Sequence, residues 1–176
     1  MKIGLCGTMS VGKTTLVNAL KERPEFKDYM FRTERSKELM AQGIPLNTDS
    51  TLKGQTVFLA ERTSELMVEN IITDRTVIDV MAFARASKSM NYIDKEEFIQ
   101  YAKRFIKEYD YIFYVSPEGV EIEDNGIRET DAEYRDLIDF VINNIISNNK
   151  YYIKNYGVLS GSTEERIKQM LEALSL

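Results

Sequence analysis

Histidine is absent from the 176-residue sequence, and cysteine occurs once. Without histidine the chain cannot carry a Ser-His-Asp triad or a histidine metal site. One cysteine cannot form an intramolecular disulfide or a cysteine-built zinc site. The single cysteine, Cys6, lies in an apolar run and is expected to pack in the core rather than to serve redox chemistry. A general base in this protein must therefore be an aspartate or a glutamate.

Long apolar runs are also missing, so the sequence offers no candidate for a membrane-spanning helix. A signal peptide does not fit either, because the first predicted strand begins at residue 2 and leads directly into a functional loop. We therefore expect a cytoplasmic protein with no membrane partner. The net charge of −5 argues against broad, non-specific nucleic-acid binding, but it leaves room for a local basic groove. The length favours a single domain spanning residues 1–176.

The most informative segment follows the first predicted strand, in which Ile3, Leu5 and Cys6 are apolar. It reads GTMSVGKT over residues 7–14 and matches the phosphate-binding pattern G-x-x-x-x-G-K-[ST]. Glycines let such a loop turn its N–H groups towards one anion, and the helix behind it presents its positive end to the same anion. The lysine can reach the β- and γ-phosphates, and the next hydroxyl can bind Mg²⁺. The predicted nucleotide-binding residues are Gly7, Thr8, Ser10, Val11, Gly12, Lys13, Thr14 and Thr15, with Thr14 also a metal ligand.

Apolar runs and helical periodicities alternate along the rest of the chain. Short apolar runs predict strands at residues 29–31, 71–73, 111–115 and 156–159. Helices are predicted over about 14–23, 36–42, 50–70 and 77–88, and at three later places. Four helices carry predicted capping pairs, which are Thr76 with Asp79, Asp94 with Glu97, Thr130 with Glu133, and Ser162 with Glu165. The alternation is typical of an α/β protein with a parallel sheet.

Several protein classes share a phosphate-binding loop, and missing motifs narrow the choice. The chain lacks the Asp-x-x-Gly and Asn-Lys-x-Asp motifs of GTPases, and it lacks the strand-ending Asp-Glu of hexameric ATPase modules. It has instead Asp74 and Arg75 at the carboxyl end of a predicted strand, where ligands bind in open α/β sheets. If that strand lies beside the first, Asp74 faces the γ-phosphate and Mg²⁺, and Arg75 reaches the transferred phosphoryl group or the acceptor. A surface ion pair is the alternative interpretation of these two residues.

Five segments resemble small P-loop kinases of the thymidylate kinase-like and nicotinamide riboside kinase-like kind, and most closely their AAA-type ATPase/kinase relatives, which are common in phages and bacteria. The segments are GTMSVGKTT, TERSKELMAQGI, ITDRTVIDVMAFA, DNGIRETDAEYRDLID and VLSGSTEERI, and they are spread over most of the chain. The resemblance implies a three-layer α/β/α P-loop fold of the kinase type, with a five-stranded parallel sheet and a lid at about residues 116–135. It also implies an ATP-dependent phosphotransferase that works with Mg²⁺.

The same resemblance implies catalytic roles for residues that match the family. Lys13 would serve the phosphates, and Asp74 would act as general base or as a second metal ligand. Glu34 is the alternative base. Arg128 and Arg135 would belong to the lid and close over the phosphates, where a planar, permanently charged guanidinium matches phosphoryl oxygens.

Substrate-binding residues follow from the resemblance in the same way. Those facing the acceptor would be Glu34, Arg35, Arg75 and Asp79, with Asp79 lining the acceptor side or ordering Arg75. Gly161 and Ser162 would form the loop against which adenine lies. These assignments place the acceptor at the ends of the second and third strands and the adenine near the last strand.

Two departures from related families leave the acceptor open. Thymidylate kinases usually carry Arg-Glu-Pro-Gly where this chain has TERS at residues 33–36, and deoxynucleoside kinases usually carry Glu-Arg-Ser where it has DRT at 74–76. A nucleoside, a nucleotide and a ribosyl compound are all candidate acceptors. The other hypotheses are a kinase of nucleic-acid ends or modified bases, which no basic-aromatic run favours, and an ATP-binding regulatory protein without kinase activity. The protein is expected to be a monomer or a homodimer.

Overall fold

The computed structural model of the protein describes residues 1–33, 35–118 and 132–176. Five parallel strands form one sheet in the order β2-β3-β1-β4-β5. The strands are β1 Lys2–Cys6, β2 Met30–Arg32, β3 Ile71–Asp74, β4 Tyr111–Val115 and β5 Tyr156–Leu159. The predicted strands are confirmed, and the third strand does lie beside the first.

Seven α-helices connect and cover these strands within the part of the chain that the structure describes. They are α1 Lys13–Lys21, α2 Ser36–Ala41, α3 Leu52–Glu65, α4 Val77–Ala86, α5 Tyr92–Ala102, α6 Ala132–Asn148 and α7 Thr163–Leu174. Short 3₁₀ helices lie at Pro24–Phe26, Asn47–Asp49, Lys103–Glu108 and Lys150–Tyr152. The arrangement is the expected three-layer α/β/α fold with a five-stranded parallel sheet.

The helix boundaries differ from the prediction at two places. The helix predicted to run to residue 70 ends at Glu65, and its last carbonyls accept bonds from the turn at Leu66–Val68 before β3 begins. The prediction that Asp94 and Glu97 cap the fifth helix is wrong. Asn91 is the cap, because its side chain accepts a hydrogen bond from the Asp94 N–H at 2.9 Å. Asparagine caps helices as well as aspartate does.

The other capping pairs show how the remaining helices begin. Thr76 and Asp79 form a reciprocal capping box at the start of α4, and Ser162 and Glu165 form one at the start of α7, as predicted. The pair predicted before α6 includes Thr130, which lies outside the described residues. Both confirmed boxes stand directly behind the carboxyl ends of strands, so they fix the helix starts that face the sheet edge.

Two apolar cores fill the space on either side of the sheet. The core under α3 to α6 includes Met81, Tyr109 and Ile142, and the core under α1 and α7 includes Leu16 and Ile167. Cys6 is fully buried in the first core, and burial raises the pKa of its thiol. This agrees with packing rather than redox chemistry. In the described ranges, no helix is both long and apolar enough to cross a membrane.

Candidate active site

The carboxyl ends of β1 and β3 meet at one edge of the sheet. The two strands pair in parallel with Leu5 opposite Asp74, so the loop that follows β1 starts beside the Asp74 side chain. Parallel α/β sheets bind ligands at this edge, where two crossovers leave a crevice. The phosphate-binding loop and the predicted catalytic carboxylate are therefore neighbours in space although 60 residues separate Thr14 from Asp74 in sequence.

The phosphate-binding loop, residues 7–14, depends on backbone conformations that favour glycine at two positions. Gly7 has a φ of 151°, and a Cβ there would lie 2.7 Å from the Val115 carbonyl oxygen. Gly12 has a φ of 80° and is the N-cap of α1 without help from any capping side chain. Positive φ values cost a non-glycine residue free energy, which explains the two glycines of the motif. The loop can thus turn its N–H groups inward ahead of the positive end of α1.

Lys13 lies inside this loop rather than on the surface. Its side chain is 6% exposed, and Nζ donates hydrogen bonds to the carbonyl oxygens of Gly7 at 2.7 Å and Thr8 at 2.6 Å. The ammonium group therefore lies against the backbone at the start of the loop. When a phosphate binds, the ammonium group could exchange these carbonyl contacts for charged phosphate oxygens.

Thr14 and Asp74 form the contact that joins the loop to β3. Thr14 Oγ1 donates to Asp74 Oδ2 at 2.5 Å, and the Asp74 residue is 1% exposed. A hydroxyl and a carboxylate are the hard oxygen ligands that Mg²⁺ accepts, and the ion commonly takes its remaining ligands from water and substrate phosphates. Among the described residues no group of three or more acidic, histidine or cysteine side chains could hold a metal by itself. The pair therefore fits Mg²⁺ that arrives with a nucleotide.

Asp79 holds the loop and the β3–α4 turn together. Its fully buried carboxylate accepts hydrogen bonds from Thr76 N at 2.7 Å, Thr76 Oγ1 at 2.9 Å and Gly7 N at 3.1 Å. The Arg75 guanidinium lies 3.8 Å away. The sequence suggested the helix cap and the contact with Arg75, but the bond to Gly7 links segments that are distant in sequence. Asp79 is thus a bridge between the phosphate-binding loop and the acceptor side.

Arg75, the residue after Asp74, lines a cavity. Its backbone has a φ of 91°, which is rare for a residue with a side chain, and its N–H donates to the Leu5 carbonyl at 2.9 Å. Its guanidinium lies 4.9 Å from the centroid of the Phe83 ring. The cavity is lined by Ser36, Leu46, Asn47, Gln55, Phe58, Arg75, Asp79, Val80 and Phe83. Apolar walls with a few polar groups are the usual lining of small-molecule sites.

Gln55 is a cavity residue that the sequence analysis did not identify. The residue is 3% exposed and lines the cavity. Its side-chain amide carries two donors and an acceptor that a ligand in the cavity could use. The sequence does carry a signal that Gln55 and Arg62 are buried. Both residues are at helical spacing with Leu59, on the buried face of α3.

Arg62 is the second residue that the sequence analysis missed. Its buried guanidinium donates from Nη1 to the Asp74 carbonyl oxygen at 3.1 Å and from Nη2 to Glu65 Oε1 at 2.8 Å. Burial raises the pKa of Glu65 to about 7, although the nearby Arg62 opposes that rise. The position of Asp74 at the strand end is therefore fixed from behind by a buried ion pair.

The predicted acceptor residues before α2 are only partly in the described structure. Arg35 is exposed and pairs with Glu38 at 2.5 Å and Glu61 at 3.1 Å, and it is not among the described residues that line the cavity. No contact of Arg35 in the described structure therefore supports the prediction that it faces the acceptor. Glu34, the alternative base, lies outside the described residues.

The opposite side of the phosphate-binding loop carries the predicted lid and adenine residues. Arg135 is 9% exposed on α6, its carbonyl accepts a bond from Thr8 Oγ1 at 2.9 Å, and its guanidinium donates to the Pro117 carbonyl at 3.4 Å. Ser162 caps α7 next to Gly161, beyond the end of β5. Arg128 and residues 119–131 of the predicted lid lie outside the described residues.

Arg166 is a third residue without a sequence prediction. Its guanidinium is buried against the phosphate-binding loop and donates from Nη1 to the Val11 carbonyl oxygen at 2.6 Å. Only the three-dimensional fold brings the first turn of α7 to this loop, so no local pattern could have indicated the contact.

Solved structures with a similar fold include named kinases. Deoxyadenosine kinase from M. mycoides with dCMP and dCDP bound matches at 18% identity and a TM-score of 0.70, over 99% of this chain and 98% of that chain. The NadR protein in complex with NR matches at 17% identity and a TM-score of 0.73, over 99% of this chain and 51% of that chain. The YorR protein from Bacillus subtilis in complex with phosphorylated GDP matches at 20% identity and a TM-score of 0.62, over 99% and 95%. At these identities the matches show a shared fold.

Sequence comparison places the chain in a family. No curated protein matches the sequence. A family profile described as AAA domain matches residues 2–166, which is most of the chain. The resemblance to small P-loop kinases and their AAA-type relatives is confirmed by this profile together with the fold, and the chain belongs to this AAA domain family.

Proposed function

We propose that the protein is an ATP-dependent phosphotransferase that phosphorylates a hydroxyl group of a nucleoside, a nucleotide or a ribosyl compound. One observation carries the proposal: Asp74 contacts the phosphate-binding loop through Thr14 while the next residue, Arg75, lines a separate cavity. In this proposal the loop is the donor site and the cavity is the acceptor site, with the Asp74 carboxylate between them. The named kinases among the structures of similar fold support the same reaction class.

On the donor side, the chain's own groups bind and neutralise the triphosphate. The inward N–H groups of residues 7–14 and the Lys13 ammonium group would hold the β- and γ-phosphates. Thr14 and Asp74 would hold Mg²⁺, which supplies charge neutralisation between the phosphates when bound. Gly161 and Ser162 would lie against the adenine. Phosphoryl transfer depends mainly on such positioning and charge stabilisation.

On the acceptor side, the acceptor hydroxyl oxygen attacks the γ-phosphorus, and the bond from the γ-phosphorus to the β,γ-bridging oxygen breaks to release ADP. Asp74 takes or orients the hydroxyl proton, with Glu34 as the alternative base. Arg75 would reach the transferred group. Phe58 and Phe83 provide apolar walls for a flat ring, and the Gln55 amide provides hydrogen bonds to its edge.

The lid completes the proposal. Arg128 and Arg135 would close over the phosphates and exclude water, since guanidinium groups stabilise developing charge most strongly in a dry site. The buried position of Arg135 next to Thr8 is compatible with this role. Asp79 would hold the loop and Arg75 in register during closure.

An acceptor panel tests the proposed function directly. Purified protein is incubated with ATP and Mg²⁺ and, in separate reactions, with nucleosides, nucleoside monophosphates, nicotinamide riboside or 5′-hydroxyl oligonucleotides. We expect ADP formation only with a small acceptor, and mass spectrometry should find that acceptor heavier by one phosphoryl group. Lys13→Met protein, prepared identically, controls for a contaminating kinase.

Two outcomes of this panel would replace the proposal. Stimulation by oligonucleotides alone would make the protein a nucleic-acid kinase. ATP binding with no stimulation by any acceptor would favour an ATP-binding regulatory protein. The proposed function requires that at least one small acceptor be phosphorylated by the wild type and not by the Lys13→Met variant.

A further inference from the structure

Arg166 is a buried cation to which the proposed reaction assigns no role. The residue is 4% exposed, and burial lowers the pKa of its guanidinium. Nη1 donates to the Val11 carbonyl oxygen at 2.6 Å, Nη2 donates to the Ser116 carbonyl oxygen at 3.4 Å, and Nε is buried without a partner. No acidic side chain in the described ranges forms an ion pair with it. An uncompensated buried charge is unfavourable, so an apolar side chain would serve packing better.

The Val11 carbonyl that Arg166 contacts belongs to the peptide bond between Val11 and Gly12. In a trans peptide the C=O and N–H groups point in opposite directions within one plane. A donor that holds the Val11 carbonyl towards α7 therefore directs the Gly12 N–H away from α7. Inward N–H groups are what an anion-binding loop needs.

Gly12 makes this peptide easy to turn. A glycine has no side chain and adopts positive and negative φ with similar ease, so the residue itself does not fix the orientation of the Val11–Gly12 peptide. Gly12 has a φ of 80°, and a Cβ on it would stand 3.2 Å from Arg166 Nη1. A Cβ would crowd the guanidinium, and glycine avoids this contact. The hydrogen bond from Arg166 supplies the restraint that glycine lacks.

We infer that Arg166 is a positioning residue that locks the Val11–Gly12 peptide with its N–H directed at the phosphate. The inference rests on the proposed nucleotide-binding role of the loop. Arg166 reaches the loop from the first turn of α7, where its N–H donates to the Ser162 carbonyl at 3.0 Å behind the Ser162–Glu165 capping box. The helix start that would face the adenine therefore also orients the phosphate-binding backbone.

The sequence permits a direct observation of this peptide. Valine is followed by glycine only at residues 11 and 12. Protein labelled with ¹³C at valine carbonyls and ¹⁵N at glycine nitrogens therefore gives one peak in an HNCO spectrum, from the peptide in question. We expect this Gly12 peak to shift in the wild type when inorganic tripolyphosphate and Mg²⁺ are added, because the N–H gains an anionic acceptor.

Three variants separate orientation from packing. Arg166→Met keeps an unbranched side chain but has no hydrogen-bond donor. Arg166→Lys keeps the positive charge and a donor for the Val11 carbonyl. Lys168→Met is the control, because it removes a charge from an exposed side chain on the same helix. We expect Arg166→Met to bind ATP·Mg²⁺ and tripolyphosphate·Mg²⁺ about 10–100-fold more weakly, the loss typical of a charge-assisted hydrogen bond. Its Gly12 peak should respond weakly, while adenosine binding stays unchanged. Arg166→Lys should regain most of the response, and Lys168→Met should match the wild type.

If Arg166 had only a packing role, Arg166→Met should bind phosphates at least as well as Arg166→Lys does. If Arg166 only fills space, the apolar Arg166→Met variant should bind tripolyphosphate as the wild type does, with an unchanged Gly12 response, and that result would overturn the inference. If Arg166→Met does not fold, the inference still requires a weakened Gly12 response in Arg166→Gln, which lacks the charge, and a retained one in Arg166→Lys. Equal responses in these two variants would also overturn it.

Failure of the proposed function looks different in the same experiment. Tripolyphosphate binding needs no acceptor, so the Arg166 result stands even if the acceptor panel finds no substrate. Wild-type protein that binds neither ATP nor tripolyphosphate would overturn both the proposed function and the role of Arg166.

Discussion

The proposed donor and acceptor halves of the candidate site are built in different ways. The donor half is a run of backbone groups, residues 7–14, completed by the side chains of Lys13 and Thr14. The acceptor half is a cavity of side chains from α2, α3, the 3₁₀ helix at Asn47–Asp49 and α4. A backbone-built site keeps its specificity when side chains vary. A side-chain-built site can change its ligand through single substitutions without changing the fold.

The two halves are also stabilised differently. Asp79 and Arg166 fix the loop through hydrogen bonds to its backbone. Asp74, next to the cavity residue Arg75, is held by an ion pair on α3, where Arg62 contacts Glu65 and the carbonyl of Asp74. Substitutions in the loop should therefore weaken every use of ATP, and substitutions in the cavity should act on the acceptor alone.

Removal of the Lys13 ammonium group should have the largest effect. We expect Lys13→Met to lower turnover by at least about 10²–10³-fold with every acceptor, because it removes a charge that stabilises the transferring phosphoryl group. Steady-state kinetics measure the loss. Lys21→Met, an exposed lysine on the same helix, is the matched control. A loss of turnover with only one acceptor would contradict this view, because the donor half should serve every acceptor.

Asp74 joins the two halves and should affect chemistry more than binding. We expect Asp74→Asn to lower turnover by about 10²–10⁴-fold, the usual loss for a general base, while ATP affinity falls much less. Calorimetric binding of ATP·Mg²⁺ alongside kinetics gives both quantities, and Asp28→Asn on the surface is the control. Unchanged turnover with lost ATP binding would make Asp74 a donor-side residue only. Glu34→Gln would then test the alternative base.

Gln55 should affect the acceptor half alone. We expect Gln55→Leu to raise the KM for the acceptor by up to about tenfold, as the loss of a neutral hydrogen bond does, while the KM for ATP stays unchanged. The effect should differ among acceptors with different ring edges. Gln100→Leu, the same change on the exposed surface of α5, is the control. A raised KM for ATP instead would show that the cavity is not separate from the donor half.

Glu65 should affect stability rather than catalysis, with a characteristic pH dependence. Burial raises its pKa from 4.5 to about 7, so the folded protein binds a proton that the unfolded chain releases between these values. The free energy of unfolding should therefore decrease as pH rises through this window, by up to about 3 kcal/mol from this group. Urea denaturation at pH 5 and pH 8 measures the difference.

Glu65→Gln should remove that part of the pH dependence. The amide oxygen can still accept the bond from Arg62, so the variant should fold. Glu97→Gln, an exposed residue on α5, should keep the wild-type pH dependence. Identical pH profiles for Glu65→Gln and the wild type would show that this ion pair does not titrate in the folded state.

The contrast between the two halves also explains how much the sequence predicts. The loop is predictable because its geometry depends on consecutive residues, with glycines at the positive-φ positions and a helix directly behind them. The strands and the capping boxes at Thr76 and Ser162 follow from equally local signals. Asp74 could be identified because it stands at a strand end next to the loop.

The acceptor half and the supports of the loop are not local in sequence. Gln55 and Arg62 face the site only because α3 packs beside α4, and Arg166 reaches Val11 across 155 positions. Their helical spacing with Leu59 is the sequence signal that Gln55 and Arg62 leave. The helix start at Asn91 was missed for another reason, since two good capping residues compete within one turn.

The backbone of Arg75 has a consequence for protein engineering. A φ of 91° in a residue with a side chain stores roughly 1–2 kcal/mol that glycine would release. Arg75→Gly would release this strain, but it would also remove the contacts with Asp79 and Phe83 and take the guanidinium out of the cavity. Relief of strain at this position therefore costs the function of the side chain, so selection for thermostability has to measure turnover in every round.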